Sequence, residues 1–339
     1  MINNSQLNLT KTKMLCIYHR SVDPYFNIAT DEYIFKHIPD DCFMLWQNDN
    51  AIIVGKHQNT LSEINVDYVK EHGIKVVRRL SGGGAVYHDM GNLNYSFTRT
   101  GENSEMVDFK KYTLPILEVL QGLGVDAKFE GRNDLTIDGK KFSGNAEHVF
   151  KNKVLHHGTL LFTSEMKNVS GALKINPLKY ADKAVKSVPK RVTNISDHLK
   201  TPITLEAFTQ KIMDHIISTH EDCVPYEFTE VDLAAIQKIR DEKYATWDWN
   251  YGTSPDYNFK KGIRTEGGTL EMNLDVEKGI IQKVKIYGDF FNEKDISEIE
   301  KALENTAHEE QAIRNVLDKY PVGKYFHNMD QVDLLNAMF

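Results

Sequence analysis

Four short stretches carry residues that could act together on a small anionic substrate. The first is Arg78-Arg79-Leu80-Ser81-Gly82-Gly83-Gly84-Ala85-Val86-Tyr87-His88. Its glycines lack a Cβ, so the backbone there can turn at positive φ and lie against a ligand. With two arginines on the approach, the loop is either an anion cradle or a solvated hairpin turn. No Gly-Lys-Ser/Thr follows and the spacing is not GxGxxG, which excludes a Walker phosphate loop and a dinucleotide fingerprint. The second stretch is Gly131-Arg132-Asn133-Asp134-Leu135. Asp134 offers a hard oxygen for Mg²⁺, although the same residue types close ordinary β-turns. The third is Lys140-Lys141-Phe142-Ser143-Gly144-Asn145-Ala146. In a strand the two lysines point to opposite faces, so one turns inward as a fixed positive charge, with the register open to change by a bulge at the turn. The fourth, His156-His157-Gly158-Thr159-Leu160, opens a strand. No HExxH spacing accompanies it, so a pocket contact suits these histidines better than metal ligation.

The elements that must position these residues follow from pattern. Leu15 to Tyr18 reads as a strand, and Asp23-Pro24 as the start of a helix running to His37. Phe43 to Gln47 and Ala51 to Gly55 read as strands around the Asn48-Asp49-Asn50 turn, and Asp67 to Glu71 as a short helix closed by Gly73. Lys75 to Val77 leads as a strand into the glycine loop. Ala85 to His88 and Leu93 to Thr98 then suggest a hairpin through Gly91 and Asn92. A helix spans Phe109 to Leu120, with Pro115 either kinking it or marking its start. Four extended pieces follow up to Phe162, the middle pair joined at Asp138-Gly139. Residues 163–200 are lysine-rich and weakly patterned, which suggests a long mobile loop. Helices follow at Leu205–His220 and Asp232–Tyr244, the second with Leu233, Ile236 and Ile239 inward.

Composition bounds the rest. A chain of 339 residues with 41% hydrophobic and 26% charged residues suggests a soluble protein of two domains. The net charge of -7 argues against a dedicated nucleic-acid binder, and no apolar run is long enough to span a membrane. Cys16, Cys42 and Cys223 are odd in number and widely separated, so free thiols in a reducing, cytoplasmic setting are expected. Residues 1–12 read as a disordered tail, 13–250 as the main domain and 251–339 as a small α+β module. The break falls in the aromatic segment Trp247–Asp256.

In this order and spacing, RRLSGGGAVYHDMGNLNYSF, GRNDL, KKFSGNA and HHGTLL resemble the lipoate–protein ligase A family, as do VPKRVTNI at 188–195 and TWDWNYG at 246–252. The likeness covers nearly the whole chain from Leu15. It implies an α+β fold: a large mixed-sheet catalytic domain similar to biotin ligases and class II aminoacyl-tRNA synthetases, plus a small C-terminal α+β domain. It implies that lipoate and ATP form lipoyl-adenylate, and that the acyl group then passes to a lysine of an apo carrier. The carriers implied are lipoyl domains of 2-oxo acid dehydrogenase complexes and the glycine-cleavage H protein. By the same resemblance Lys141 is the essential catalytic lysine. Arg79, Ser81, Gly82, Gly83, Gly84, Ala85, Val86 and Tyr87 form the loop around acyl group and nucleotide. Asn133 and His157 contact substrate, Asp134 holds Mg²⁺, and residues 170–190 form an adenylate-binding loop. Leu80 stands where some members are basic and receives no role.

The chemistry is coherent with these residues. Adenylation gives a carboxylate a good leaving group, and Lys141 with Mg²⁺ can offset charge developing on the α-phosphate. The dithiolane and its alkyl chain need an apolar slot, expected around Val76, Val86 and Leu160. One rival is an octanoyl or lipoyl transferase of the same fold, which needs a nucleophilic cysteine that residues 130–190 lack. A non-catalytic lipoyl-domain-binding protein is the other.

Overall fold

Asp23 and Pro24 start the first helix. The Asp23 carboxylate accepts the Tyr25 N–H at 3.3 Å and Pro24 takes the first helical position, where no N–H is needed, so Pro24–His37 begins there. The computed structural model describes residues 13–58, 60–101, 107–173, 192–251, 259–277, 280–308 and 310–339. The tail and residues 174–191, which hold most of the expected adenylate-binding loop 170–190, lie outside the described residues.

The first part of the chain supplies β1 (Met14–Tyr18), β2 (Asp41–Trp46), β3 (Ala51–Val54), β4 (Lys75–Arg78), β5 (Val86–His88) and β6 (Asn92–Thr100). Then come β7 (Ala127–Glu130), β8 (Asp134–Ile137), β9 (Lys140–Phe150), β10 (Lys153–Leu161) and β11 (Cys223–Pro225). The C-terminal module contributes β12 (Phe259–Thr265), β13 (Gly268–Glu277) and β14 (Ile280–Gly288). The large sheet has the order β11-β1-β2-β6-β10-β9-β8-β7, with a second sheet β4-β3-β5 and a third β12-β13-β14. β1 runs parallel to β11 and β2, whereas β2 and β6 to β10 pair antiparallel.

Both faces of the large sheet are buried along its central strands. One face takes Phe208, Ile212 and Ile216 from the helix Leu205–Thr219, packed with Leu93, Tyr95 and Phe97 of β6. Each such side chain contributes roughly 1.5–3 kcal/mol. The other face is covered by Ile28 and Ile34 of Pro24–His37 and by Ile53 and Val77 of the second sheet. By alternation, β6 turns Asn94, Ser96 and Thr98 to that second face, and all three are buried. A strand with one apolar and one polar buried face marks where polar work is done.

One local hairpin signal loses to long-range pairing. β5 does not pair with β6: Val86 faces Ile53 in the second sheet, while Leu93 pairs with Leu160 in the large one. β2 and β3 flank the Asn48–Asn50 turn as expected, and they join different sheets. Pro115 lies inside one continuous helix, Phe109–Gly122, capped by Asp108. In the helix Glu230–Ile239, Leu233 is 39% exposed rather than inward. The buried Asp232, which accepts from Tyr33 Oη at 2.5 Å and Tyr226 Oη at 2.7 Å, sets the rotation of that helix instead.

The expectation of free thiols at Cys16 and Cys223 is corrected. These residues form a disulfide across a sequence separation of 207, with Cα atoms 6.3 Å apart. The parallel pairing of β1 and β11 brings them together, and no spacing rule could indicate it. Cys42 is free and buried.

The C-terminal module packs on the glycine loop. The His57 ring stacks on Phe290 with centroids 4.9 Å apart, and His57 Nε2 lies 2.8 Å from Asn292 Oδ1. Arg132 sits over the Phe291 ring at 4.7 Å and donates to the carbonyls of Gly267 and Asp289.

Candidate active site

Arg78 and Arg79 are adjacent, yet do different work. The Arg78 guanidinium donates to the carbonyls of Gly55, Gln58, Trp249 and Asn250 and to Thr60 Oγ1, so it ties together loops around the second sheet. Arg79 commits four of its five N–H groups to Ser81 Oγ at 3.0 Å and to the carbonyls of Ile53, Gly82 and Gly84. Burial, and secondarily Arg78, pulls its pKa down to about 9. Arg79 therefore shapes the loop from inside while lining the cavity beside it.

The glycine loop does not show all of its N–H groups to a ligand. Gly83 has φ +88°, a conformation few other residues adopt, and its N–H donates to Phe290 O at 3.3 Å. Ser81 is fully buried and bonded to His157 Nε2 at 2.5 Å. His157 Nδ1 in turn lies 2.9 Å from the Asp31 carboxylate of the first helix. The chain Asp31–His157–Ser81–Arg79 thus anchors the loop to the sheet. As adjacent strand residues, His157 reaches the cavity, while His156 turns into the core to pair with Glu147 at 2.8 Å.

Lys141 owes its position to a bulge. Leu135 pairs with Ser143 and Thr136 with Lys141, so Phe142 is the extra residue. Without it, Lys141 and Gly144 would lie on opposite faces; with it, they share one. The Lys141 ammonium lies across Gly144 and meets Asp134 at 2.6 Å. Asn133 donates to the Asn145 carbonyl, and Asn145 Nδ2 donates to the Asn133 carbonyl at 3.1 Å, which fixes this end of the sheet.

Two hollows meet at Lys141. The first is a slot with apolar walls from Ile28, Trp46, Ile53 and Val86, joined by Arg79, Asn133 and His157. The second, of about 420 Å³, is lined by Tyr87, Glu130, Asp134, Thr136, Leu161 and Val192, among others. Ala85, Val86, Lys141, Gly144 and Thr159 belong to both. The structure therefore brings Arg79, Gly83, Gly84, Ala85, Val86, Asn133, Lys141 and His157 to the slot, and Tyr87 and Asp134 to the second hollow. Ser81 and Gly82 stand behind the loop. Val76 and Leu160 line neither hollow. Val76 packs with Ile52 and Val54, and Leu160 faces the helical side of the sheet. Sequence reasoning missed Asp31, Trp46, His88 and Asn94. Period two was the available signal: His88 shares a strand face with Val86, and Asn94 lies on the polar face of β6.

An apolar slot and a second hollow bearing Glu130, Asp134 and Thr136, which share one lysine, suit an enzyme that activates a carboxylic acid; the class is that of the acid-activating ligases. Residues 23–217 match the "Lipoyl protein ligase A/B catalytic domain" family, and residues 254–338 match "Bacterial lipoate protein ligase C-terminus". The chain is similar to the lipoate-protein ligase LplJ of Bacillus subtilis, with 43% identity over 96% of this chain and 100% of that one. It is 42% identical to lipoate–protein ligase 1 of Staphylococcus aureus, covering 93% of this chain and 97% of that one. Among solved structures, P. falciparum LipL1 in complex with lipoate superposes with a TM-score of 0.78 at 25% identity, over 95% of this chain and 97% of that one. A bi-partite ligase from Thermoplasma acidophilum, described with its E2 lipoyl domain, gives 0.63 at 27% identity, over 74% and 100%. A lipoate-protein ligase A bound with ATP gives 0.60 at 25% identity, over 71% and 99%. The chain belongs to the lipoate–protein ligase family and is an enzyme of that activity.

Proposed function

We propose that the enzyme joins lipoate to a lysine of a carrier protein through lipoyl-adenylate. Lipoate lies in the slot with its carboxylate at Lys141, and ATP lies in the second hollow. The observation that carries this is the shared wall: Lys141 and Gly144 border both hollows, so a carboxylate at the slot mouth faces the α-phosphate. A carboxylate oxygen attacks the α-phosphorus and pyrophosphate leaves. Lys141 stands as a fixed positive charge beside the oxygens on which charge develops. The unprotonated amine of the carrier lysine then attacks the acyl carbonyl, an amide forms, and AMP departs.

Asp134 fits a role at the cation that accompanies ATP. It presents one half-exposed carboxylate to the nucleotide hollow, and Mg²⁺ on a nucleotide takes one or two carboxylates plus phosphate oxygens. When bound, the ion neutralises phosphate charge. Among the described residues no group of three or more His, Cys, Asp or Glu forms a cation site by itself. The carrier class is the lipoyl domain of 2-oxo acid dehydrogenase complexes, supported by the archaeal relative's description with such a domain; the glycine-cleavage H protein is the second carrier of this reading.

No cysteine supports a thioester route. Cys16 and Cys223 are bonded to each other, and burial pushes the Cys42 thiol up to about 12. The test is to mix protein, lipoate, Mg-ATP and an apo lipoyl domain, and to follow carrier mass. A lipoyl increment that requires ATP supports the reading; an increment without ATP, or none, overturns it.

A further inference from the structure

The slot carries, away from Lys141, two buried hydrogen-bond donors that no described residue accepts. His88 is 3% exposed and Asn94 1%, and both line the slot. His88 Nε2 and Asn94 Nδ2 have no hydrogen-bond partner among the described residues. The neighbours define what each atom offers. Asn27 Nδ2 donates to Asn48 Oδ1 at 2.8 Å, so Asn48 turns its amide N–H to His88 Nδ1, 3.0 Å away. His88 Nδ1 accepts, and the neutral ring carries its hydrogen on Nε2. Burial keeps that ring neutral, pulling its pKa down to about 3. Asn94 Oδ1 is taken by Asn92 Nδ2 at 2.8 Å, which leaves the Asn94 N–H₂ as the unpaired end.

The register places these donors along the slot. Gly144 N–H donates to Thr159 Oγ1 at 3.2 Å, Thr159 pairs with Asn94, and Asn94 pairs with Trp46. Asn94 thus lies two strand spacings from Gly144, about 10 Å. His88 enters from the other wall, two residues beyond Val86, and its ring lies edge-on to Trp46 with centroids 6.1 Å apart. Val86 borders both hollows, whereas His88 and Asn94 border only the slot. If a carboxylate is held at Lys141, the far end of a short acyl chain arrives between them.

We infer that His88 Nε2–H and Asn94 Nδ2–H donate to the dithiolane sulfurs and make the slot select lipoate over acids with an all-carbon end. This rests on lipoate as the acyl substrate. A divalent sulfur is a weak acceptor, but it accepts. An alkyl or carbocyclic end displaces solvent and leaves both donors desolvated and unpaired, and a site of that kind discriminates against the analogue that lacks the acceptor.

The experiment compares kcat/KM for pyrophosphate release with lipoate, octanoate and cyclopentylpentanoate, which keeps the five-membered ring and removes the sulfurs. Variants are His88→Phe, Asn94→Leu and the donor-retaining His88→Gln. Wild type is expected to prefer lipoate over cyclopentylpentanoate by on the order of tenfold or more. That ratio should collapse toward unity in His88→Phe and Asn94→Leu, and recover in part in His88→Gln. A variant that fails to fold leaves the wild-type comparison standing, and equal wild-type use of ring and carbocycle overturns the inference. So does a ratio that survives both substitutions, which would mean that the donors face water or serve packing alone. Failure of wild type to activate any of the acids would count against the ligase reading rather than against this one.

Discussion

The Lys141 ammonium reaches the Asp134 carboxylate, 2.6 Å away, by lying across the one residue of its strand that has no side chain. A Cβ on Gly144 would stand 2.9 Å from Lys141 Nζ and 3.0 Å from Cε. The bulge at Phe142 and the bare Gly144 together allow one cation to face two hollows.

Removing that cation should stop the first half-reaction. Lys141→Ala is expected to lower the rate of adenylate formation by on the order of 10²–10³ while the fold persists, because the half-exposed side chain supports no core. Pyrophosphate release measures it. Near-normal release would mean that Lys141 is a surface residue of a hairpin.

Gly144→Ala tests the position of the charge rather than its presence. The new methyl meets the far end of a flexible side chain, so the cost to stability should be small and Lys141 should move instead. The expected outcome is a fall in kcat for pyrophosphate release with the thermal midpoint nearly unchanged. A variant that adenylates at the wild-type rate would show that Lys141 acts equally well from another position.

Legibility followed the range of the interaction. Asp23-Pro24, the Asp138-Gly139 turn and the period of Phe208, Ile212 and Ile216 act within a few residues, and each is found where pattern places it. The β5–β6 hairpin failed because both strands find partners distant in sequence, β5 in β3 and β6 in β2 and β10. Arg79 looked like an open anion ligand in the sequence; its donors are in fact largely taken by the loop it shapes. Asp31 was hidden because nothing in a helix sequence says that a strand histidine, 126 residues on, lies against it. The disulfide was hidden for the same reason.

That disulfide gives a third prediction. Cys16–Cys223 ties the edge strand β11 to β1, and neither residue lines a hollow. Reduction should lower stability by about 2–4 kcal/mol and leave the rate of ligation unaltered. The triple variant Cys16→Ser, Cys42→Ser, Cys223→Ser should likewise keep its activity at temperatures where it is folded. An acyl-thioester trapped on any of the three would move the protein to the transferase class.

Acid should destabilise the fold in a defined window. Burial lowers the pKa of His19 to about 4 and those of His57, His88 and His148 to about 3. The unfolded chain takes up protons on these rings near pH 6.5, and the folded chain refuses them until pH 3–4. Stability is therefore intact above the unfolded value and falls as pH drops, by up to about 1.4 kcal/mol per pH unit for each ring. Glu147, raised by burial, works in the opposite sense, and its partner His156, lowered by burial, offsets it. Denaturation midpoints at about pH 7.5 and about pH 5 should differ, and His88→Phe should flatten the slope. Equal midpoints would show that these rings are protonated in the folded protein.

The last prediction concerns Phe291, which belongs to the C-terminal module but is buried against the main domain. It packs with Phe109 at a centroid distance of 5.1 Å, carries Arg132 on its face, and lies under the glycine loop near Gly83. Phe291 and Phe109 form a small apolar cluster with Ala146, separate from the cores of either part. Phe291→Ala should therefore weaken docking without unfolding the module, whose own core of Leu270, Ile286 and Leu334 is untouched. Loss of a buried phenyl group costs about 3–5 kcal/mol in a closed core, enough to release one part from the other. Small-angle scattering should show a larger radius of gyration, and protease should cut between the parts more readily. Because Gly83 gives its N–H to Phe290 O, the glycine loop should lose order along with the contact, and the KM for lipoate should rise. An unchanged radius together with an unchanged KM would mean that the His57–Phe290 stack and the Arg132 bonds hold the module in place without this ring.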